Sequence, residues 1–166
     1  MHEQTNQNES VMNSNEFTRL FSREFLKLRN EVAGYRSDDE MWLVLPGTIN
    51  SGGNLVQHLI GNLRTYIGLT LGDVAYVRNR EAEFGERLFT KEKLLEEIDL
   101  LNQIISKTLE KLPREIFQNE YPHDILTIFP EQNIGMVLIH LLMHLTWHNG
   151  QINHHRRFVA SQESAK

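Results

Sequence analysis

Between Ile134 and Val159 the chain reads IGMVLIHLLMHLTWHNGQINHHRRFV, without a proline and with histidines at 140, 144, 148, 154 and 155. Apolar residues at three- and four-residue steps predict one long helix here. A helix turns by about 100° per residue, so Val137, His140, His148, Gln151 and His155 fall within about 40° of His144 around its axis. Leu141, Leu145, Ile152 and Val159 flank that stripe on one side, and Met136, Trp147 and Phe158 on the other. The stripe is therefore expected in the middle of an apolar face, where a polar group without a partner costs about 1–3 kcal/mol. One imidazole there can be satisfied by a carbonyl. Several in a row point to a metal ion.

The rest of the composition narrows the class. A chain of 166 residues with 40% hydrophobic and 23% charged residues has the make-up of a single soluble globular domain. Its net charge of −5 argues against a nucleic-acid partner, and HHRR at 154–157 and RNR at 78–80 are the only dense basic spots. No apolar run is long enough for a membrane span, and MHEQTNQNESVMNSN has no hydrophobic signal core, so a cytoplasmic protein without membrane contact is expected. There is no cysteine, which excludes disulfides, a protein thiolate nucleophile and cysteine-ligated zinc. Any thiol chemistry must come from a bound small molecule.

Taken in order, residues 1–13 read as a loose arm, 14–160 as one domain and 161–166 as a flexible tail. A first helix is expected over about 15–36, with Phe17, Leu20, Phe21, Phe25, Leu28, Val32 and Tyr35 as its buried face. Glu24 falls inside that face, either paired with an arginine or orienting a ligand histidine. SDDE reads as a turn, MWLVLPG brings Trp42 and two leucines against the helices, and Pro46-Gly47 stops any helix there.

A second helix over about 51–72, capped by Asn50, Ser51 or Asn54, holds His58 on one face with Ser51, Asn54, Asn62, Thr65 and Leu69. That small, polar face reads as a pocket wall, and Gly61, Gly68 and Gly72 suggest close approach of a neighbouring helix or a ligand. GDVAYVRNREAEFGER is expected to extend this helix before looping. Thr90 caps a third helix over about 90–112, which Pro113 ends. Three prolines make 113–133 non-helical, with ILTIF as a short extended pair and His123 as an exposed loop histidine. Four helices and no strand pattern predict an all-α four-helix bundle, with a long irregular connection before the last helix.

His144 and His148 are spaced i, i+4 and present two imidazoles to one ion from one helix. His58 is the only histidine inside another predicted helix and completes a set of three. Bundles build metal sites in this way, from side chains on facing helices. Three neutral imidazoles suit Zn²⁺, Ni²⁺, Co²⁺ or Fe²⁺, and they leave positions open for water or substrate. HLTWH lacks the glutamate of the H-E-x-x-H proteases. His140, Gln151 and Asn62 are expected around the ligands, and His154 and His155 at the helix end, where they favour the dipole when protonated. Ile139, Leu142 and Met143 lie away from the histidine stripe. They make the first half of this helix apolar all round, so a homodimer is expected.

At these residues the sequence resembles the DinB-like superfamily of metal-dependent four-helix bundles. The likeness is carried by the histidine in NLVQHLIGNL and by MHLTWHNGQI, which is similar to that family's H-x-x-x-H-x-G-Q pattern. INSGGNLVQHLIGNL followed by VRNREAEF resembles one subgroup closely, and the resemblance extends from about Ser14 onward. It implies an up-down-down-up bundle, a metal held at one end of the bundle by His58, His144 and His148, and frequent dimers. The closing motif commonly reads HRGQ, and Asn149 stands here in place of the arginine.

Characterised relatives include low-molecular-weight thiol S-transferases and a mycothiol-dependent isomerase. They imply a zinc or nickel centre that binds a small thiol cosubstrate as thiolate for attack on an electrophilic small-molecule substrate. A metal-dependent hydrolase and a non-catalytic structural or sensing bundle are the alternatives.

Overall fold

The structure is a computed structural model that describes residues 12–123 and 132–163. The expected extended pair ILTIF, most of the expected arm and the last three residues lie outside the described residues. Within them the chain is all-helical, with no strand and one isolated antiparallel bridge, Glu120 to Asn133.

Helix α1 (Ser14–Ala33) opens on a capping box. The Asn13 side chain accepts from the Glu16 amide at 3.1 Å, and the Glu16 carboxylate accepts from the Asn13 amide at 2.8 Å. These bonds satisfy two amides that the first helical turn leaves without partners. Phe17, Phe21, Phe25, Leu28 and Val32 are buried along it, on the face expected from their spacing. SDDE is not a plain turn: Ser37 caps a short helix, α2 (Asp38–Trp42). After it Leu45 is buried, whereas Leu43 is exposed.

Ser51 is the residue that caps α3 (Gly52–Leu63), in a second capping box with Asn54. The helix then widens into a π-helical turn, Arg64–Leu69, before closing as α4 (Thr70–Gly72). Two hydroxyls bond to backbone carbonyls across this region: Thr65 Oγ1 donates to Gly61 O at 2.7 Å and Thr70 Oγ1 to Thr65 O at 2.9 Å. The expected extension beyond residue 72 does not form. Asp73 adopts a left-handed conformation (φ 53°) and ends the helix. An irregular stretch follows, and α5 (Arg80–Gly85) packs back against α3.

Thr90 caps α6 (Lys91–Lys111) by accepting from the Lys93 amide at 3.2 Å. The expectation of no helix after Pro113 is corrected by one 3₁₀ segment, Arg114–Gln118, which buries Phe117. Helix α7 (Ile134–Glu163) begins where Asn133 Oδ1 accepts from the Met136 amide at 2.8 Å. It continues through residues 161–163, where a tail was expected.

Helix α1 packs on α6 and α7, and α3 packs on the same two, so the four long segments share one core. On α7 the buried side is Leu141, Leu145, Ile152 and Val159. The other expected flank is open to solvent: Met136 is 37% exposed, Phe158 38% and Trp147 68%. The histidine stripe therefore runs along the edge of the buried face rather than down its middle. A ligand set at an edge is packed on one side and reachable from the other. Among the described residues no helix is long and apolar enough to cross a membrane.

Candidate metal centre

His58 from α3 meets His144 and His148 from α7. His58 Nε2 lies 3.2 Å from His144 Nε2, and His148 Nε2 lies 3.1 Å from the same atom. Each of the three residues offers one ring nitrogen, and these atoms all lie within 4.8 Å of one another. The rings meet edge to face, with interplanar angles of 80–87°.

The position of His58 is set by a network that the sequence pattern does not reveal. Asn54 Nδ2 donates to the carbonyls of Glu83 and Phe84, each at 3.2 Å, and Gln57 Nε2 donates to those of Glu83 and Glu86, each at 3.0 Å. Gln57 Oε1 accepts from the Leu88 amide at 2.8 Å. These amides hold α5 against α3 and bring the buried Glu83 carboxylate to His58, with Oε2 3.1 Å from Nδ1. Gly61 makes the approach possible, because a Cβ there would overlap the Glu83 carboxylate. The predicted close approach at Gly61 is therefore real, and its partner is α5. The polar face of α3, expected as a pocket wall, is largely covered: Ser51 and Asn54 are buried and bonded within the chain.

Arg78 closes the network with a two-pronged ion pair to Glu83, Nε to Oε1 at 2.7 Å and Nη2 to Oε2 at 2.8 Å. Burial alone would raise the Glu83 carboxyl, but hydrogen bonds from Arg78 and His58 outweigh it and hold the group below its ordinary value.

An ionised carboxylate only accepts, so His58 Nδ1 carries the proton and donates to Glu83, leaving the Nε2 lone pair facing the cluster. On α7, Gln151 Oε1 lies 2.6 Å from His148 Nδ1 and fixes His148 in the same tautomer. Gln151 thus lies beside His148 and can set its orientation. Two inward lone pairs then face His144 Nε2, which has at most one proton to share. A cation satisfies all three nitrogens at once. Metal–nitrogen bonds of about 2.0–2.1 Å at angles of about 90–110° require nitrogen separations of about 2.8–3.4 Å, a range that holds both contacts, 3.2 and 3.1 Å.

Two of the three imidazoles, His144 and His148, are also held neutral. Burial, then repulsion from His148, His58, His140 and Arg78, pushes His144 down to about 3. Burial lowers His148 too, against the opposing effect of Gln151.

Other expected site residues fall in varied places. His140 is exposed on one side and lies nearly parallel to His144 at 6.5 Å between ring centroids, and partial burial of its ring lowers its pKa. The Asn62 side chain makes no hydrogen bond among the described residues, and its Oδ1 is buried. Glu24 does not orient a histidine. Its buried carboxylate binds Arg23 at 3.0 Å, Lys27 at 2.8 Å and Asn149 Nδ2 at 3.2 Å. Asn149 also donates to the Glu24 carbonyl at 3.0 Å, so it ties α7 to α1.

His155 is not a helix-end residue either. It is buried about two turns from the end of α7 as that helix actually runs, donates from Nε2 to the Leu43 carbonyl at 2.7 Å, and accepts from Tyr35 Oη at 2.7 Å. His123 is exposed, as expected.

Two cavities border the cluster. The larger, about 720 Å³, opens beside His148 and Gln151 and is walled by Leu45, Ile49, Leu55 and Trp147. The smaller, about 280 Å³, reaches His58 and His144 and is lined by Asn62, Tyr66, Arg78, Arg80 and His140.

Glu83 and Arg78 are the functional residues that the sequence reading missed. The signals that pointed their way were Gly61, three residues after His58, and the charged run VRNREAEF. No curated protein and no solved structure matches the chain. A family model described as Protein of unknown function (DUF1572) matches residues 14–164, and the chain belongs to that family.

Proposed function

We propose that this chain is a metal-dependent enzyme of the DinB-like kind, an up-down-down-up bundle that transfers a low-molecular-weight thiol to an electrophilic small molecule. The observation that carries the reading is the convergence of three imidazoles from α3 and α7, two of them held with their lone pairs inward. His58, His144 and His148 would hold a divalent ion, zinc or nickel, and three protein ligands leave room for an exogenous one. Such an ion supplies Lewis acidity, which lowers the pKa of a coordinating thiol and favours its thiolate.

The chain's own residues do the rest. Glu83 and Gln151 keep the ligand rings in register, and the apolar cavity beside His148 has the volume of a small organic substrate. In the transfer the sulfur forms a new bond to the electrophilic carbon while the bond to the leaving group breaks, its electron pair departing with that group. The thiol proton goes to His140, a neutral imidazole that lines the smaller cavity and reaches solvent. With no cysteine in the chain, the nucleophilic sulfur belongs to the cosubstrate.

We also propose that a second copy covers the exposed apolar stripe of α7, where Met136, Ile139, Met143 and Trp147 lie on one side of the helix.

The test is consumption of a small thiol with monobromobimane or chlorodinitrobenzene by zinc- or nickel-loaded protein. Thiol-dependent adduct formation that is lost in His144→Ala is expected. Ester or amide hydrolysis without thiol would indicate the hydrolase instead, and stoichiometric metal without turnover a structural or sensing bundle.

A further inference from the structure

The two cavities differ in chemistry, and each is lined by a different part of the histidine cluster. Beside His148 the walls are Leu45, Ile49, Leu55 and the indole of Trp147. Beside His58 and His144 the walls are polar and include two guanidinium groups, with no carboxylate among the lining residues. The Arg78 charge is already matched, by its two-pronged pair with Glu83. The Arg80 charge is not: among the described residues it has no carboxylate partner, and its guanidinium lies over the Phe84 ring at 5.5 Å. Phe84 in turn packs on His58, with ring centroids 4.9 Å apart. Stacking therefore keeps an uncompensated cation at the side of the ligand histidine. Asn62 adds a buried amide oxygen in the same cavity, an acceptor without a hydrogen-bond partner among the described residues.

We infer that the smaller cavity binds a carboxylate of the thiol cosubstrate through Arg80, while the larger cavity takes an uncharged apolar electrophile. This inference rests on the transferase reading. The reactants then approach the cluster from separate cavities, the thiol anchored by its anionic end and the electrophile by apolar contact. A planar guanidinium is suited to a carboxylate, which accepts from two of its N–H groups at once. Thiols without an anionic group lose that anchor.

Calorimetry separates this inference from the reading beneath it. Zinc-loaded protein is titrated with mercaptosuccinate and with 2-mercaptoethanol, metal-free protein with succinate, and both forms with the neutral probe N-phenyl-1-naphthylamine. Mercaptosuccinate is expected to bind at least about tenfold tighter than 2-mercaptoethanol, the scale of one charge-assisted hydrogen bond. Arg80→Gln should erase that difference and weaken succinate binding, while leaving zinc content, helical content and naphthylamine binding unchanged. Mercaptosuccinate and naphthylamine should bind together without competition.

An Arg80→Gln protein that keeps the preference for mercaptosuccinate overturns the inference, as does displacement of the naphthylamine by mercaptosuccinate. The succinate arm needs neither metal nor turnover. Absence of thiol transfer therefore removes the transferase reading without deciding the anion site, and unchanged succinate binding in Arg80→Gln removes the anion site without deciding the transferase reading.

Discussion

Glu83 Oε2 lies 3.1 Å from His58 Nδ1, on the side of the ring away from His144 and His148. One carboxylate thereby decides which nitrogen of a candidate ligand is free to bind. It is itself kept ionised by Arg78 and admitted by the missing side chain at Gly61.

Glu83→Gln keeps the shape of the acid but can present an N–H where the imidazole N–H now points. Zinc affinity is expected to fall about 10–100-fold, the range for losing such an outer partner, with helical content retained. Competition against a chromophoric chelator measures it. Unchanged affinity would mean that Glu83 serves only to bind Arg78.

Gly61→Ala places a methyl group into the Glu83 carboxylate, so α5 must shift from α3. We expect a loss of about 1–3 kcal/mol in stability by urea unfolding, as for an over-packed core site. Weaker zinc binding is expected alongside it. A variant of undiminished stability would show that α5 yields without cost.

The metal-free protein should lose stability in acid in two stages. His144, His148 and His155 have folded-state pKa values lowered from 6.5, chiefly by burial, while the unfolded chain takes up protons near that value. The unfolded state thus binds more protons, so stability falls as pH drops below 6.5. Glu24 and Glu83, held below 4.5 in the fold because their hydrogen-bond partners outweigh burial, add a second loss below that pH. Melting temperature against pH checks this. A flat profile between about pH 7.5 and 5 would contradict it, since histidines without a folded-state shift give no slope there.

Met143 is 65% exposed on the apolar stripe of α7. Sedimentation is expected to show a dimer for the unaltered protein at micromolar concentration and a monomer of unchanged helicity for Met143→Glu. A monomer in both would reject the proposed contact.

How much of this could be read from the chain depended on where the physics was local. His144 and His148 share one helix at i, i+4, and His58 was the only histidine in another expected helix, so the trio was legible. The helix start at Thr90 was legible as well, and that at Ser51 to within a few residues, because caps act within three residues. Glu83 and Arg78 were not, since α5 owes its place to side-chain amides of Asn54 and Gln57 bonding to backbone carbonyls, which leaves no periodicity to detect. His155 was misread because α7 continues to Glu163 and Tyr35, from the connection after α1, meets it across the chain. The exposed flank of Met136 and Trp147 looked like core because pattern alone does not say which side of a helix finds a partner.

The most direct test of the account is the metal stoichiometry of purified protein by elemental analysis, after reconstitution with zinc or nickel and removal of loose ions. One divalent ion per chain is expected, lost in each of His58→Ala, His144→Ala and His148→Ala while helical content is kept. Protein that retains no metal, or histidine variants that hold as much as the unaltered chain, would contradict it.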